Sequence, residues 1–119
     1  MKSAAGIRVL IVEDEPIVAM LAEDLHDSIG CVVAGAAATI VEALHAIQTL
    51  TFDVALIDIN LDGEDGLIVA NALKAQRIPY IITSGYDAGG IAPGHPDAPI
   101  LSKPYAIAAL EAAICQTLG

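Results

Sequence analysis

Short apolar runs alternate with helix-like patterns along almost the whole of this chain, and this alternation limits the fold more than any other feature. Runs of this length and hydrophobicity predict strands buried on both faces. Helical segments between them predict a parallel sheet covered on both sides, which is an α/β fold. The predicted strands are Ile7 to Val12, Cys31 to Ala36, Val54 to Asp58, Tyr80 to Ser84 and Pro99 to Ser102.

Helical periodicity and end signals place the helices between these runs. Pro16 favours a helix start, and Gly30 ends the first helical pattern. Thr39 and Glu42 match a capping box, which predicts a second helix from about Ile40 to Leu50. The third and last helices are predicted over residues 67–74 and 107–118. Residues 88–97 are rich in Gly and Pro, so we expect an irregular fourth helix of at most one turn there.

Composition restricts the class of protein. The 119 residues suit a single domain spanning residues 1–119, and 55% of them are hydrophobic. A net charge of -10 would repel nucleic acid, so we expect no nucleic-acid partner. The N-terminus lacks an apolar signal core and no uncharged stretch is long enough to span a membrane, which favours a soluble cytoplasmic protein.

The cysteines and histidines suggest no metal site. Cys31 and Cys115 are far apart in apolar stretches, so we interpret them as reduced core residues. His26, His45 and His95 are scattered, and we interpret them as polar surface residues.

Polar side chains follow the predicted strands. Glu13 and Asp14 follow the first, Asp58 ends the third, Ser84 ends the fourth and Lys103 follows the fifth. The carboxyl ends of parallel strands meet at one edge of a sheet. If the first and third strands are neighbours, three carboxylates converge, and their repulsion calls for a proton or a cation. An oxygen-only cluster suits Mg²⁺.

Several nucleotide and hydrolase motifs are missing. The first strand is not followed by Gly-x-Gly-x-x-Gly, and the chain has no Gly-x-x-x-x-Gly-Lys. Ser84 lacks the first glycine of Gly-x-Ser-x-Gly. These absences disfavour dinucleotide binding, Walker-type nucleotide binding and serine hydrolysis.

The four strand-end features, in this order, resemble the receiver domain of two-component response regulators. The resemblance rests on Glu13-Asp14, Ala55-Leu56-Ile57-Asp58, Ser84-Gly85 and Lys103-Pro104, and it covers nearly the whole chain. It implies a flavodoxin-like (βα)5 three-layer sandwich with a five-stranded parallel sheet of order 2-1-3-4-5. Pro79 to Tyr86 also resembles the Pro-Phe-x-Phe-Ala-Thr-Gly-Tyr motif of a receiver subfamily that is often single-domain, although residues 82–84 depart from it.

The resemblance implies a role for each site residue. Asp58 would accept a phosphoryl group from phosphohistidine, and Ser84 and Lys103 would contact that group. Mg²⁺ would be held by Asp14, Asp58 and the Asn60 backbone carbonyl, with Glu13 acting through water. The partner would be a histidine kinase, of the HWE or a related type, or a phosphotransfer protein. The chain would catalyse only its own phosphorylation and slow autodephosphorylation.

Two positions differ from the common receiver. Ile100 stands where many receivers carry an aromatic residue that moves on phosphorylation. Tyr86 could substitute for it, or could be an ordinary loop aromatic. We therefore expect the phosphorylation-dependent change to involve residues 84–105 by a different route.

Two other functions share parts of this pattern. One is an Mg²⁺-dependent phosphohydrolase of small molecules, although Asn60 stands where haloacid-dehalogenase-like enzymes have an aspartate. The other is a pseudo-receiver that only binds a partner, which the presence of Asp58 and Lys103 disfavours.

Overall fold

A computed structural model describes residues 5–61, 63–84, 98–102 and 105–118 of the chain. The strands are β1 (Arg8–Val12), β2 (Val32–Ala37), β3 (Val54–Asp58), β4 (Asn60–Leu61), β5 (Glu64–Asp65), β6 (Tyr80–Ser84) and β7 (Ile100–Ser102). The helices are α1 (Pro16–Ser28), α2 (Ile40–Thr49), α3 (Leu67–Ala75) and α4 (Ile107–Leu118).

Five strands form one parallel sheet in the order β2-β1-β3-β6-β7. When the two-residue strands β4 and β5 are left out of the count, this is the predicted order 2-1-3-4-5, so the flavodoxin-like prediction is confirmed. β4 and β5 pair with each other as an antiparallel hairpin directly after β3. This hairpin is not among the strands predicted from the sequence. The prediction of an irregular segment at 88–97 lies outside the described residues.

Two layers of core cover the two faces of the sheet. Alternate residues of a strand point to opposite faces, and β1 shows this directly. Leu10 and Val12 pack in the cluster that includes buried residues of α2 and α3. Val9 and Ile11 pack in the opposite cluster, which includes buried residues of α1 and α4. The molecule is therefore a three-layer sandwich.

The helix ends follow the sequence signals closely. Pro16 occupies the first turn of α1. Thr39 caps α2 by accepting a hydrogen bond from the Glu42 backbone N–H at 3.1 Å, and the Glu42 carboxylate accepts one from the Ala38 N–H at 2.8 Å. The second contact reaches one residue further back than an ordinary capping box does. The predicted α2 is confirmed to within one residue at its C-terminal end.

Helix α1 leaves several of its apolar residues exposed. Ile17, Met20 and Leu21 are exposed, whereas Ala22 and His26 are buried. The interpretation of His26 as a surface residue is wrong, since it is 0% exposed. Helical spacing identified the helix, but small residues allow a closer approach to the sheet, and the face that carries Ala22 is the one that packs.

The cysteine interpretation fits the fold. Neither Cys31 nor Cys115 forms a disulfide bond; Cys31 is buried and Cys115 is half-buried. Burial raises the pKa of the Cys31 thiol to about 11, with smaller contributions from Glu111 and Cys115. At neutral pH, Cys31 is therefore an unreactive thiol of the core. In the described parts of the chain, no helix has the length and hydrophobicity that a membrane span needs.

Candidate phosphoacceptor site

The end of β1 supplies two acidic side chains. Val12 is the last strand residue, and the Glu13 N–H extends the ladder by donating to the Ala37 carbonyl at 2.9 Å. Glu13 is buried, and its Oε2 accepts a hydrogen bond from the Glu15 N–H at 3.2 Å. Asp14 is half-buried at the start of the turn into α1. The turn into the helix thus holds one carboxylate inside the sheet edge and leaves the next one partly in contact with water.

The end of β3 supplies the third acidic side chain. Asp58 is only 4% exposed, and its Oδ1 accepts a hydrogen bond from the Asn60 N–H at 3.0 Å. The backbone just beyond it is fixed to the neighbouring strand, because the Ile59 N–H donates to the Thr83 carbonyl at 3.0 Å. Asp58 is therefore held both by the sheet and by a short-range turn.

Strand register brings the three carboxylates together. β1 and β3 are neighbours, and Val12 lies opposite Ile57, so Glu13 and Asp58 follow at the same level of the sheet. One carboxylate oxygen from each of Glu13, Asp14 and Asp58 lies within 4.8 Å of the other two. The convergence predicted from the strand ends is present in the fold.

The donor set of this cluster fits Mg²⁺. All three side chains offer hard oxygen atoms, and Mg²⁺ binds oxygen at roughly 2.0–2.1 Å, usually with several waters retained. Oxygens on opposite sides of such an ion are about 4.2 Å apart, which is close to the 4.8 Å limit of the cluster. Three carboxylates at this separation repel one another strongly in a site that excludes much of the water. A divalent cation would remove that repulsion.

The Asn60 side chain is committed to the hairpin. Its Oδ1 accepts a hydrogen bond from the Gly63 N–H at 3.0 Å. The backbone N–H of Asn60 donates to Asp58 Oδ1. The hairpin then pairs Asn60 with Asp65 and Leu61 with Glu64. The ligand that the resemblance to receivers implies at this position is the Asn60 backbone carbonyl.

Ser84 lies at the end of β6, the strand next to β3. It is buried, and it pairs in register with Ser102. The preceding Thr83 donates its hydroxyl to the Ile57 carbonyl at 3.3 Å and is therefore a structural residue. Ile100 is half-buried at the start of β7, opposite Ile82.

Two of the predicted site residues, Lys103 and Tyr86, lie outside the described residues. Their predicted roles stay predictions. Two features of the described region are not predicted from the sequence, namely the β4–β5 hairpin and the burial of His26. The hairpin had a signal in the Asn60-x-x-Gly63 spacing, which is typical of a turn.

The parallel sheet and the acidic cluster at its edge are the features that the resemblance to receiver domains predicts. Comparison with known proteins gives the same class. Residues 9–115 match the family described as the response regulator receiver domain. The chain belongs to that family. Receiver domains are in general non-enzymatic signalling modules that bind Mg²⁺ at an acidic site.

The relatives include regulators named PhyR. The chain is 36% identical over 114 residues to the phyllosphere-induced regulator PhyR of Methylorubrum extorquens, covering 92% of this chain and 43% of the relative. It matches the crystal structure of PhyR from Brucella abortus with a TM-score of 0.85 and 31% identity, covering 98% of this chain and 49% of that one. The solution structure of SdrG from Sphingomonas melonis matches with a TM-score of 0.83 and 33% identity, covering 98% and 99% of the two chains. The chain spans less than half the length of the curated relatives it matches.

Proposed function

We propose that this receiver accepts a phosphoryl group on Asp58 from a histidine kinase or a phosphotransfer protein, with Mg²⁺ bound beside it. The observation that carries the proposal is the convergence of Glu13, Asp14 and Asp58 at the carboxyl ends of two adjacent strands. A buried acidic cluster of this kind is costly for the fold unless a cation is bound, which is why we assign it to function.

The reaction requires little covalent chemistry from the protein. A carboxylate oxygen of Asp58 attacks phosphorus while the bond from phosphorus to the donor imidazole nitrogen breaks, and that nitrogen keeps the electron pair. The product is an acyl phosphate on Asp58. Phosphoryl transfer of this type depends mainly on positioning and charge stabilisation. The hydrogen bond from the Asn60 N–H supports the positioning, because it restricts the Asp58 side chain.

The residues around Asp58 divide the remaining tasks in this proposal. Asp14, Asp58 and the Asn60 carbonyl would hold the ion, and Glu13 would act through water. When bound, Mg²⁺ would supply positive charge that offsets the charge of the phosphoryl oxygens. Ser84 would donate its hydroxyl to the phosphoryl group; its burial at the end of the adjacent strand supports this. Lys103 would pair with Asp58 before transfer and with a phosphoryl oxygen afterwards.

The signal would leave the site through residues 84–105. Ile100 is a half-buried aliphatic residue paired with Ile82, and a branched aliphatic side chain cannot bury or expose a phenol. We therefore propose Tyr86 as the residue whose surroundings change on phosphorylation. A Tyr86→Ala variant that is phosphorylated normally and gives an unchanged NMR spectrum of the active state would contradict this.

We further propose that residues 1–119 act as a single receiver domain in the cytoplasm. The match that covers 99% of the SdrG chain supports the domain assignment. The absence of a disulfide between the two cysteines supports a reducing compartment. The net charge of -10 supports a protein partner rather than nucleic acid. The Pro79–Tyr86 resemblance is the reason to test kinases of the HWE or a related type first.

A phosphotransfer assay tests the function. The chain is incubated with a ³²P-labelled histidine kinase and Mg²⁺, and we expect an acid-stable, base-labile label that is absent from Asp58→Asn and present in Asp24→Asn. Asp24 is a suitable control because it is an exposed aspartate on α1. Failure to label the wild-type chain would favour a pseudo-receiver. Sustained release of phosphate from small phosphate esters would favour a phosphohydrolase.

A further inference from the structure

Gly66 makes an unusually close contact with the backbone that carries Asp58. It is buried between β5 and α3, and its N–H donates to the Ile59 carbonyl at 2.8 Å. A Cβ atom on Gly66 would overlap the backbone carbonyl oxygen of Asp58 and would lie 3.0 Å from both Cα and the carbonyl carbon of Ile59. The two backbone segments therefore touch with no side chain between them.

Space, and not backbone conformation, makes glycine necessary here. Gly66 has φ of -62° and ψ of -15°, which any residue can adopt. Gly63, in the turn between β4 and β5, is the opposite case. Its φ is +82°, which favours glycine, but a Cβ there would meet nothing within 4 Å. The segment from β4 to the start of α3 thus contains two glycines that are required for different physical reasons.

The contact joins the acidic site to the first turn of α3. The Gly66 carbonyl accepts hydrogen bonds from the N–H groups of Val69 at 3.0 Å and Ala70 at 3.3 Å, so Gly66 begins the helix. On its other side, the touching backbone is the Asp58–Ile59 step, which the sheet holds through Thr83. A methyl group at Gly66 would have to displace either the hairpin or the backbone of Asp58, because backbone atoms cannot rotate away as a side chain can.

We propose that Gly66 is a positioning residue for phosphorylation, which sets the place of the Asp58 carboxylate and of the Asn60 backbone by direct backbone contact. The inference rests on the proposed function of Asp58. The Asn60 N–H donates to the Asp58 carboxylate, so a shift of the hairpin changes both the nucleophile and the backbone of the proposed cation ligand together.

The substitution Gly66→Ala tests this with two readouts. Support for metal ligands typically contributes roughly 10–100-fold to metal affinity, so we expect a loss of that size in Mg²⁺ affinity. We expect phosphorylation by acetyl phosphate to slow by about 100-fold at saturating Mg²⁺, since misplacement by about 1 Å can cost that much. Acetyl phosphate needs no kinase, so a docking defect cannot explain the loss.

Gly6→Ala is the matched control. Gly6 precedes β1, at the opposite edge of the sheet from Asp58, and alanine there is strained by the positive φ of +80° but meets no atom within 4 Å. We expect it to lower the urea midpoint while Mg²⁺ affinity and the rate with acetyl phosphate stay within about twofold of the wild-type values. A general loss of stability would affect both readouts in both variants, whereas a positioning role affects them only in Gly66→Ala.

Each outcome decides the inference. Equal Mg²⁺ affinity and rate in Gly66→Ala and wild type would overturn the positioning role while leaving the proposed function intact. Failure of the wild-type chain itself to be labelled on Asp58 would overturn both.

If Gly66→Ala does not fold, amide hydrogen exchange of the wild-type chain replaces it. Mg²⁺ should then slow exchange of the Gly66 N–H more than that of the Leu50 N–H. The Leu50 N–H donates to the Ala46 carbonyl at the C-terminal end of α2 and serves as the reference amide. An equal effect at the two amides would overturn the inference.

Discussion

Replacing Asp58 with asparagine should make the protein more stable in the absence of divalent cations. The substitution keeps an oxygen that can accept the hydrogen bond from the Asn60 N–H. It removes one negative charge from a cluster whose oxygens lie within 4.8 Å of one another, and with it the repulsion from Glu13 and Asp14. The change is therefore a test of the electrostatics of the site.

The size of the effect follows from the geometry. Two unit charges at the 4.8 Å limit repel by about 3 kcal/mol at an effective dielectric near 20. Asp58 has two such neighbours, but Asp14 is only half-buried, so water screens its share. The predicted pairing of Asp58 with Lys103 acts in the opposite direction. We expect a net gain of about 1–2 kcal/mol in the free energy of unfolding.

Urea unfolding followed by circular dichroism measures both this gain and its link to Mg²⁺. A ligand at 100 times its dissociation constant stabilises the folded state by about 2.7 kcal/mol. Wild type should gain stability of that order when EDTA is replaced by such a concentration of Mg²⁺, and Asp58→Asn should gain much less. Asp24→Asn should respond as wild type does. Equal stability of wild type and Asp58→Asn in EDTA, or an equal response to Mg²⁺, would refute the electrostatic reasoning.

Three further predictions concern the scaffold. Burial lowers the pKa of His26, and the Ala22 carbonyl and Asp27 oppose this with smaller effects. As the pH falls, this histidine therefore becomes protonated in the unfolded chain at a higher pH than in the folded chain. The free energy of unfolding should then decrease as the pH drops below about 6.5. The fall from pH 7.5 to 5.5, measured by thermal unfolding, should persist in His45→Gln, where the histidine is exposed, and disappear in His26→Gln. Thr39→Ala should cost about 1 kcal/mol in urea unfolding because it removes the cap of α2, and a cost near zero would contradict the capping role. Leu73→Ala should cost roughly 2–5 kcal/mol because Leu73 is fully buried, and a cost under about 1 kcal/mol would show that the core collapses around it.

The sequence predicted the strands well because buried parallel strands leave a simple pattern. Each run of apolar residues had to be covered on both faces, and this determined the class of fold. The neighbours of each strand could not be read from hydrophobicity, which is nearly the same in all of them. The strand order came from the resemblance to receivers. The sequence then predicted the acidic cluster correctly, because Asp58 ends one strand, Glu13 follows the last residue of another, and the two strands are adjacent.

His26 shows where a single-sequence reading fails. A histidine on a charged helix is usually at the surface, but His26 lies one turn after the buried Ala22 and shares its face. Its Nδ1 is 2.6 Å from the Ala22 carbonyl oxygen. Because a carbonyl only accepts, the proton is on Nδ1, and Nε2 has no hydrogen-bond partner among the described residues. The side chain is buried because of its position on the helix, despite its polarity.

The hairpin after Asp58 shows a deeper limit of the same kind. Sequence patterns describe side chains, but the contact that holds this hairpin against Asp58 is between two backbone segments. In the sequence, the only sign of this contact is a glycine, which has no side chain. Gly63 and Gly66 are indistinguishable in the printed chain. Gly63 is selected by its positive φ, which asparagine could also adopt at moderate cost. Gly66 is selected because any other residue would place a Cβ atom against the backbone of Asp58. A loop that reads as an ordinary acidic turn is therefore, on the proposed function, part of the machinery that positions the phosphoacceptor.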